Sequence, residues 1–258
     1  MNELYFAYAV IYGFVFLFGI IIGSFLNVLI YRMPLGINIA KGRSFCPNCD
    51  TQLSNRDLIP IVSFLFLKGK CRTCGNKISG RYPLVELLGG ILAVLSVAAY
   101  GLTWQSGVVF VVSAILLTIT FIDIDTMEIP NTLVLAILVI AIASVFVKGE
   151  VLIIQRLLGM VIISLPMFLM NFIIKDSFGG GDIKLCFACG FLLGWQNMLV
   201  GTFIAVLLGG IYGIYVLATK QKGKKDHFAF GPFLGLGMII ALLWGSEIFT
   251  SYLTTFGL

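Results

Sequence analysis

Two short stretches place acids where the chain is otherwise apolar. Residues 121–131 read FIDIDTMEIPN and hold Asp123, Asp125 and Glu128, three of only twelve acids in 258 residues. Residues 176–184 read DSFGGGDIK, with Gly179, Gly180 and Gly181 directly before Asp182 and Lys184 just after it. A charge at the edge of hydrocarbon is expensive, so an ionisable residue there is a candidate for function. Asp123 is the deepest acid, following ILLTITFI. Asp125 and Glu128 also read as members of a solvated loop, and Asp182 as the cap of a following helix. Glycines allow a second backbone to approach closely, here an extended peptide. Two carboxylates that meet cannot easily both ionise, so one keeps its proton and the other is free to act as a base. Such a pair can activate water and protonate a departing amide nitrogen without a metal. The chain offers little else for hydrolysis. Its single His227 lies in the basic stretch KQKGKKDHF, and no GxSxG or HExxH pattern occurs.

Four cysteines form a second constellation, Cys46 and Cys49 in CPNC and Cys71 and Cys74 in CRTC. Two CxxC pairs suit tetrahedral zinc, each pair supplying two corners. Four sulfurs leave no open position for a substrate, so such a zinc is structural. Paired redox thiols are the alternative. The intervening LIPIVSFLFL, residues 58–67, is too short to cross a bilayer and fits a segment lying along it. Cys186 and Cys189 make a third CxxC inside an apolar run, where buried small residues are the plainer reading.

These residues must be positioned by membrane helices. Hydrophobic residues make up 59% of the chain and charged residues 11%, against roughly 25% charged in a soluble domain. Apolar runs without β-type alternation recur at about 5–30, 85–101, 107–122, 129–147, 151–174, 183–195, 197–218 and 232–254. The expected fold is all-α, a polytopic membrane protein of about eight transmembrane helices with a small zinc-binding insert. The expected domains are a first helix at 1–30, the insert at 31–84 and a seven-helix membrane domain at 85–258. The insert holds nine of the seventeen Lys and Arg residues, so it should face the cytoplasm. Alternation then places Lys175, Lys184, Lys220, Lys222, Lys224 and Lys225 inside, leaving only Lys148 and Arg156 outside, with both termini outside. A reducing cytosol favours metal over disulfides at the four cysteines. The net charge of +5 follows from this topology and does not point to nucleic acid. The N-terminus lacks a basic region and reads as a span, not as a cleaved signal. Gly19 and Gly23 form a GxxxG, read as ordinary glycines of a membrane helix.

Taken in order, several segments resemble the type IV prepilin peptidases, membrane aspartic proteases of the GxGD class. They are GSFLNVLIYRMP (23–34), SFCPNCDTQL (44–53), RDLIPIVSFLFLKGKCRTC (56–74), ISGRYPLVELLGG (78–90), FIDIDTMEIPN, GGGDIK and FAFGPFLGLG (228–237). The resemblance covers nearly the whole chain. It implies Asp123 as the first catalytic aspartate and Asp182 as the second, with Asp125 ranked behind Asp123. Asn131 stands where many relatives carry Asp. It further implies a bacterial inner-membrane enzyme with its active site facing the cytoplasm. Its substrates would be type IV prepilins and pseudopilins, cut after the Gly that ends a basic leader. Methylation of the new N-terminus, with S-adenosylmethionine as donor, would follow. No glycine-rich cofactor fingerprint occurs in residues 31–84 to locate that donor. The competing readings are a peptidase without methyltransferase activity, a proton- or cation-coupled transporter using the same acids, and a scaffold that recruits partners through its zinc loop. The transporter reading lacks a visible internal repeat.

Overall fold

The computed structural model describes residues 2–146, 151–174, 177–219 and 229–257. Among these residues the protein is all-α: α1 (Asn2–Arg32), a 3-10 turn (Asn55–Leu58), α2 (Val62–Phe66), α3 (Arg81–Tyr100), α4 (Trp104–Thr126), α5 (Asn131–Phe146), α6 (Ile153–Ile162), α7 (Ser164–Ile173), α8 (Gly180–Ala218) and α9 (Gly231–Phe256). Asp176, Lys148, Lys175, the lysines at 220, 222, 224 and 225, and His227 lie outside the described residues. The chain divides into two compact units, Met1–Phe110 and Val111–Leu258.

In the first unit α1 packs against α3 through glycines. A Cβ on Gly19 would lie 2.5 Å from the Gly89 carbonyl oxygen, and one on Gly89 would lie 2.6 Å from that of Gly19. Gly23 meets the backbone of Glu86 just as closely, at 2.7 Å. The GxxxG is therefore a helix-packing device, not a neutral feature. In lipid there is little hydrophobic drive to pair helices, and close backbone approach supplies the van der Waals contact that holds them. At the end of α1, buried Arg32 donates to the carbonyls of Asn38, Ile39, Lys41, Gly42 and Arg43 at 2.8–3.3 Å. This one guanidinium satisfies a loop that has no ladder of its own. In α2, Leu65 and Phe66 are exposed, as suits a short segment against the membrane interface.

In the second unit the apolar runs are broken where their chemistry requires. Pro166 lacks the amide that would bond to the carbonyl of Ile162, and the helix divides at Ile163 into α6 and α7. At 39 residues, α8 would span about 58 Å if straight, nearly twice a hydrocarbon core of about 30 Å. It is interrupted at Gly194, whose φ of +75° and ψ of 168° are not helical. Gly159 of α6 lies against the backbone of Gly190 and Gly194, and Gly201 of α8 lies against Gly237 of α9.

Among the described residues six helical stretches are long and apolar enough to cross a membrane, with α6 and α7 counted as one, and α5 is a shorter apolar helix of 16 residues. The expected sixth and seventh spans, 183–195 and 197–218, are the two halves of α8. The exact count of eight is not confirmed among the described residues.

Candidate active site and cysteine cluster

The site in the second unit is built by the ends of α4, α8 and α9. Helix α4 stops after Thr126 because Met127 adopts a left-handed φ of +54° and its amide turns back to the Asp123 carbonyl at 2.9 Å. Asp123 thus lies one turn inside the helix end, 5% exposed. Asp125, two residues on, is rotated by about 200° and is exposed, as is Glu128 beyond the turn. The helix period therefore separates Asp123 from Asp125, and the Met127 turn separates it from Glu128.

Gly179 is the N-cap of α8, and Asp182 is the third helical residue. The Asp182 carboxyl turns back toward Gly179, with Oδ2 3.0 Å from where a Cβ on Gly179 would lie. Asp182 is therefore not itself the N-cap. The three glycines have different surroundings. A Cβ on Gly181 would fall 2.9 Å from Ile129, so only glycine lets α8 start against the 127–130 turn. Gly180 faces open space, and Gly179 faces Asp182. Lys184 donates to Asn131 Oδ1 at 3.1 Å, tying the start of α8 to that of α5. The Asn131 side chain thus meets a cation directly.

Asp123 and Asp182 are near enough for their charges to interact. Helix α9 closes on Asp123 from another side. Gly231, its first residue, lies so near that a Cβ there would be 2.5 Å from Asp123 Oδ2. The Gly231 amide faces the carboxyl, yet Oδ2 is fully buried and has no hydrogen bond of normal geometry among the described residues. A buried acceptor left open is costly and is uncommon outside functional sites. Gly231 was the contributor that residue types alone did not reveal. Its signal was the glycine spacing of GPFLGLG, in which Gly235 meets the Thr120 side chain and Gly237 the Gly201 backbone too closely for a Cβ. Beside the site, α5, α6, α7 and α8 enclose an apolar groove of about 590 Å3, reached by Asn131, Lys184, Phe168 and Phe187.

In the first unit the four cysteines converge, with all four sulfurs within 4.8 Å of one another. The module has an internal symmetry of 25 residues. The bridge Phe45–Gln52 repeats as Lys70–Lys77, and left-handed Asp50 repeats as Gly75. The amide bonds from Asp50 to Cys46 and from Leu53 to Ser44 repeat from Gly75 to Cys71 and from Ile78 to Gly69. Each half is a tight turn that presents two sulfurs. The backbone amides of Cys74 and Thr73 hold the Cys71 thiol down at about 7, and Thr51 lowers that of Cys49. Metal ligation requires thiolates, and the turns favour them at Cys71 and Cys49. At Cys74 the Asn76 amide is outweighed by burial and the three neighbouring sulfurs, which push the thiol up to about 11, a proton that a bound cation would have to displace. Asp57 braces the module, accepting from Ser54 Oγ at 2.6 Å and from Arg72 Nε at 2.8 Å. Cys186 and Cys189 are buried in α8 and belong to no metal-binding group among the described residues.

Fold and site together define a multi-pass helical membrane protein with a carboxylate pair in one unit and a tetrathiolate cluster in the other. Residues 17–100 match the Bacterial Peptidase A24 N-terminal domain, and residues 110–214 match the Type IV leader peptidase family. A protein of Aeromonas salmonicida is 33% identical, covering 95% of this chain and 94% of its own. One of Bacillus subtilis is 35% identical, covering 92% and 96%, and one of Neisseria gonorrhoeae is 34% identical, covering 84% of each. All three are named prepilin leader peptidase/N-methyltransferase. The chain belongs to the type IV leader peptidase family. No solved structure matches it significantly.

Proposed function

We propose that this protein removes the leader of type IV prepilins or pseudopilins at the cytoplasmic face of the inner membrane and then N-methylates the new terminus. The observation that carries the peptidase reading is the buried Asp123 carboxyl, with one oxygen open, within charge range of Asp182. One carboxylate takes a proton from water as that oxygen attacks the scissile carbonyl carbon, while the other, protonated, hydrogen-bonds the carbonyl oxygen. The first then returns its proton to the amide nitrogen as the carbon–nitrogen bond breaks. The open space at Gly180 gives an extended substrate backbone a path to the pair. The apolar groove beside Lys184 suits the apolar segment that follows such a leader. Asp125, Glu128 and Lys184 shape the surroundings of the pair and take no proton in the reaction.

Cys46, Cys49, Cys71 and Cys74 would hold a structural zinc, closed to substrate. S-adenosylmethionine, when bound, supplies a methyl group to the amine lone pair: the N–C bond forms, the S–C bond breaks with its electrons left on sulfur, and the amine sheds a proton. The basic insert supports a cytoplasmic placement of both activities, with both termini outside. The bilayer and the prepilin are the partners, and nucleic acid is not. Mass spectrometry of a prepilin incubated with the purified protein and S-adenosylmethionine tests the reading. Loss of the leader with gain of one methyl is expected. An intact precursor with a folded protein would overturn it.

A further inference from the structure

The unit Met1–Phe110 contains a cavity of about 650 Å3 that leader cleavage does not use. Its walls come from the end of α1, the start of α3 and the cysteine insert. The volume falls within the roughly 300–1,000 Å3 of small-molecule sites. The lining mixes aromatic and polar groups, including Tyr31, Phe45 and Tyr82.

Two polar side chains in this wall are unusual for membrane helices. Asn27 is 7% exposed, and its Nδ2 donates to the Tyr82 carbonyl at 3.1 Å. Its Oδ1 is buried with no partner, an acceptor awaiting a donor. Glu86 is 8% exposed. It accepts the Ile61 amide at 2.7 Å, and no Lys or Arg pairs with it among the described residues. A buried carboxylate without a counter-ion is poorly compensated, and hydrogen bonds alone do not neutralise it. A cation with an N–H donor and a planar ring would complete all three features at once. A methyl donor of the sulfonium class has that composition.

We propose that this cavity binds S-adenosylmethionine, with Glu86 facing its positive charge and Asn27 Oδ1 accepting one of its N–H groups. The proposal rests on the methyltransferase reading and locates its cofactor site. Aromatic walls favour a cation beside them as well as a stacked base.

The test is calorimetric binding of sinefungin, a non-reactive analogue with an ammonium near the sulfonium position, to the full chain in detergent. Glu86→Gln keeps an oxygen for the Ile61 amide but removes the charge, and should weaken Kd roughly tenfold or more. Ser63→Trp fills the cavity from α2, leaves Glu86 intact and should weaken binding at least as much. Leader cleavage by each variant verifies its fold. Both variants binding like the parent would overturn the site. If methyl transfer to a cleaved pilin also proceeds unchanged in them, the methyltransferase reading stands and only its location falls. If the parent neither binds sinefungin nor transfers methyl, the reading and the site fall together.

Discussion

Replacing Gly231 by alanine would place a methyl carbon 2.5 Å from Asp123 Oδ2 and 2.9 Å from its Cγ. Ordinary contact begins near 3.4 Å, so the carboxyl must retreat by about 0.9 Å or α9 must shift away. A displacement of about 1 Å in a reacting group can cost roughly a hundredfold in rate. That corresponds to about 2.7 kcal/mol of barrier. The assay is kcat/KM for leader removal from a purified prepilin in detergent, read by mass. Gly210→Ala is the control, because a Cβ there meets nothing within 4 Å and alanine favours the helix. The expected result is a drop of about a hundredfold for Gly231→Ala and parental activity for the control. A Gly231→Ala protein that cleaves within about twofold of the parent would refute the claim that Asp123 must sit where it does.

Other outcomes follow from the same packing. Gly180→Ala meets no protein atom, yet should raise KM by roughly tenfold without lowering thermal stability, because the space is reserved for substrate backbone. Gly89→Val would press on the Gly19 carbonyl and should cost about 2 kcal/mol, seen as a lower unfolding midpoint in detergent. Cys71→Ser should reduce bound zinc from one per chain to near none by elemental analysis, while leader cleavage by the second unit persists.

The acids, the glycine run and the CxxC pairs were legible in sequence because each is rare against an apolar background. The spans were legible because length and hydropathy are local properties. The sequence ranks Asp123 above Asp125 by its depth in the apolar run and by the resemblance, and a helix that runs through Thr126 sets the two on different faces, Asp123 buried and Asp125 exposed. What stayed hidden depends on neighbours distant in sequence. Gly19, Gly23 and Gly231 look like ordinary membrane-helix glycines until Gly89, Glu86 and Asp123 are placed against them. The boundary between the expected sixth and seventh spans was ambiguous at α8 for a related reason. A glycine break at Gly194 and a polar loop both divide an apolar run, and hydropathy does not distinguish them. Glu86 and Asn27 were hidden too, since the cavity they share is assembled from three separated segments.

The central claim is that Asp123 and Asp182 together cleave the leader. The direct measurement is leader removal by Asp123→Asn and Asp182→Asn, each purified from membranes, beside Asp125→Asn, whose side chain is exposed. The first two should give no processed pilin, even after long incubation, and the third near-parental processing. Full processing by either of the first two would contradict it.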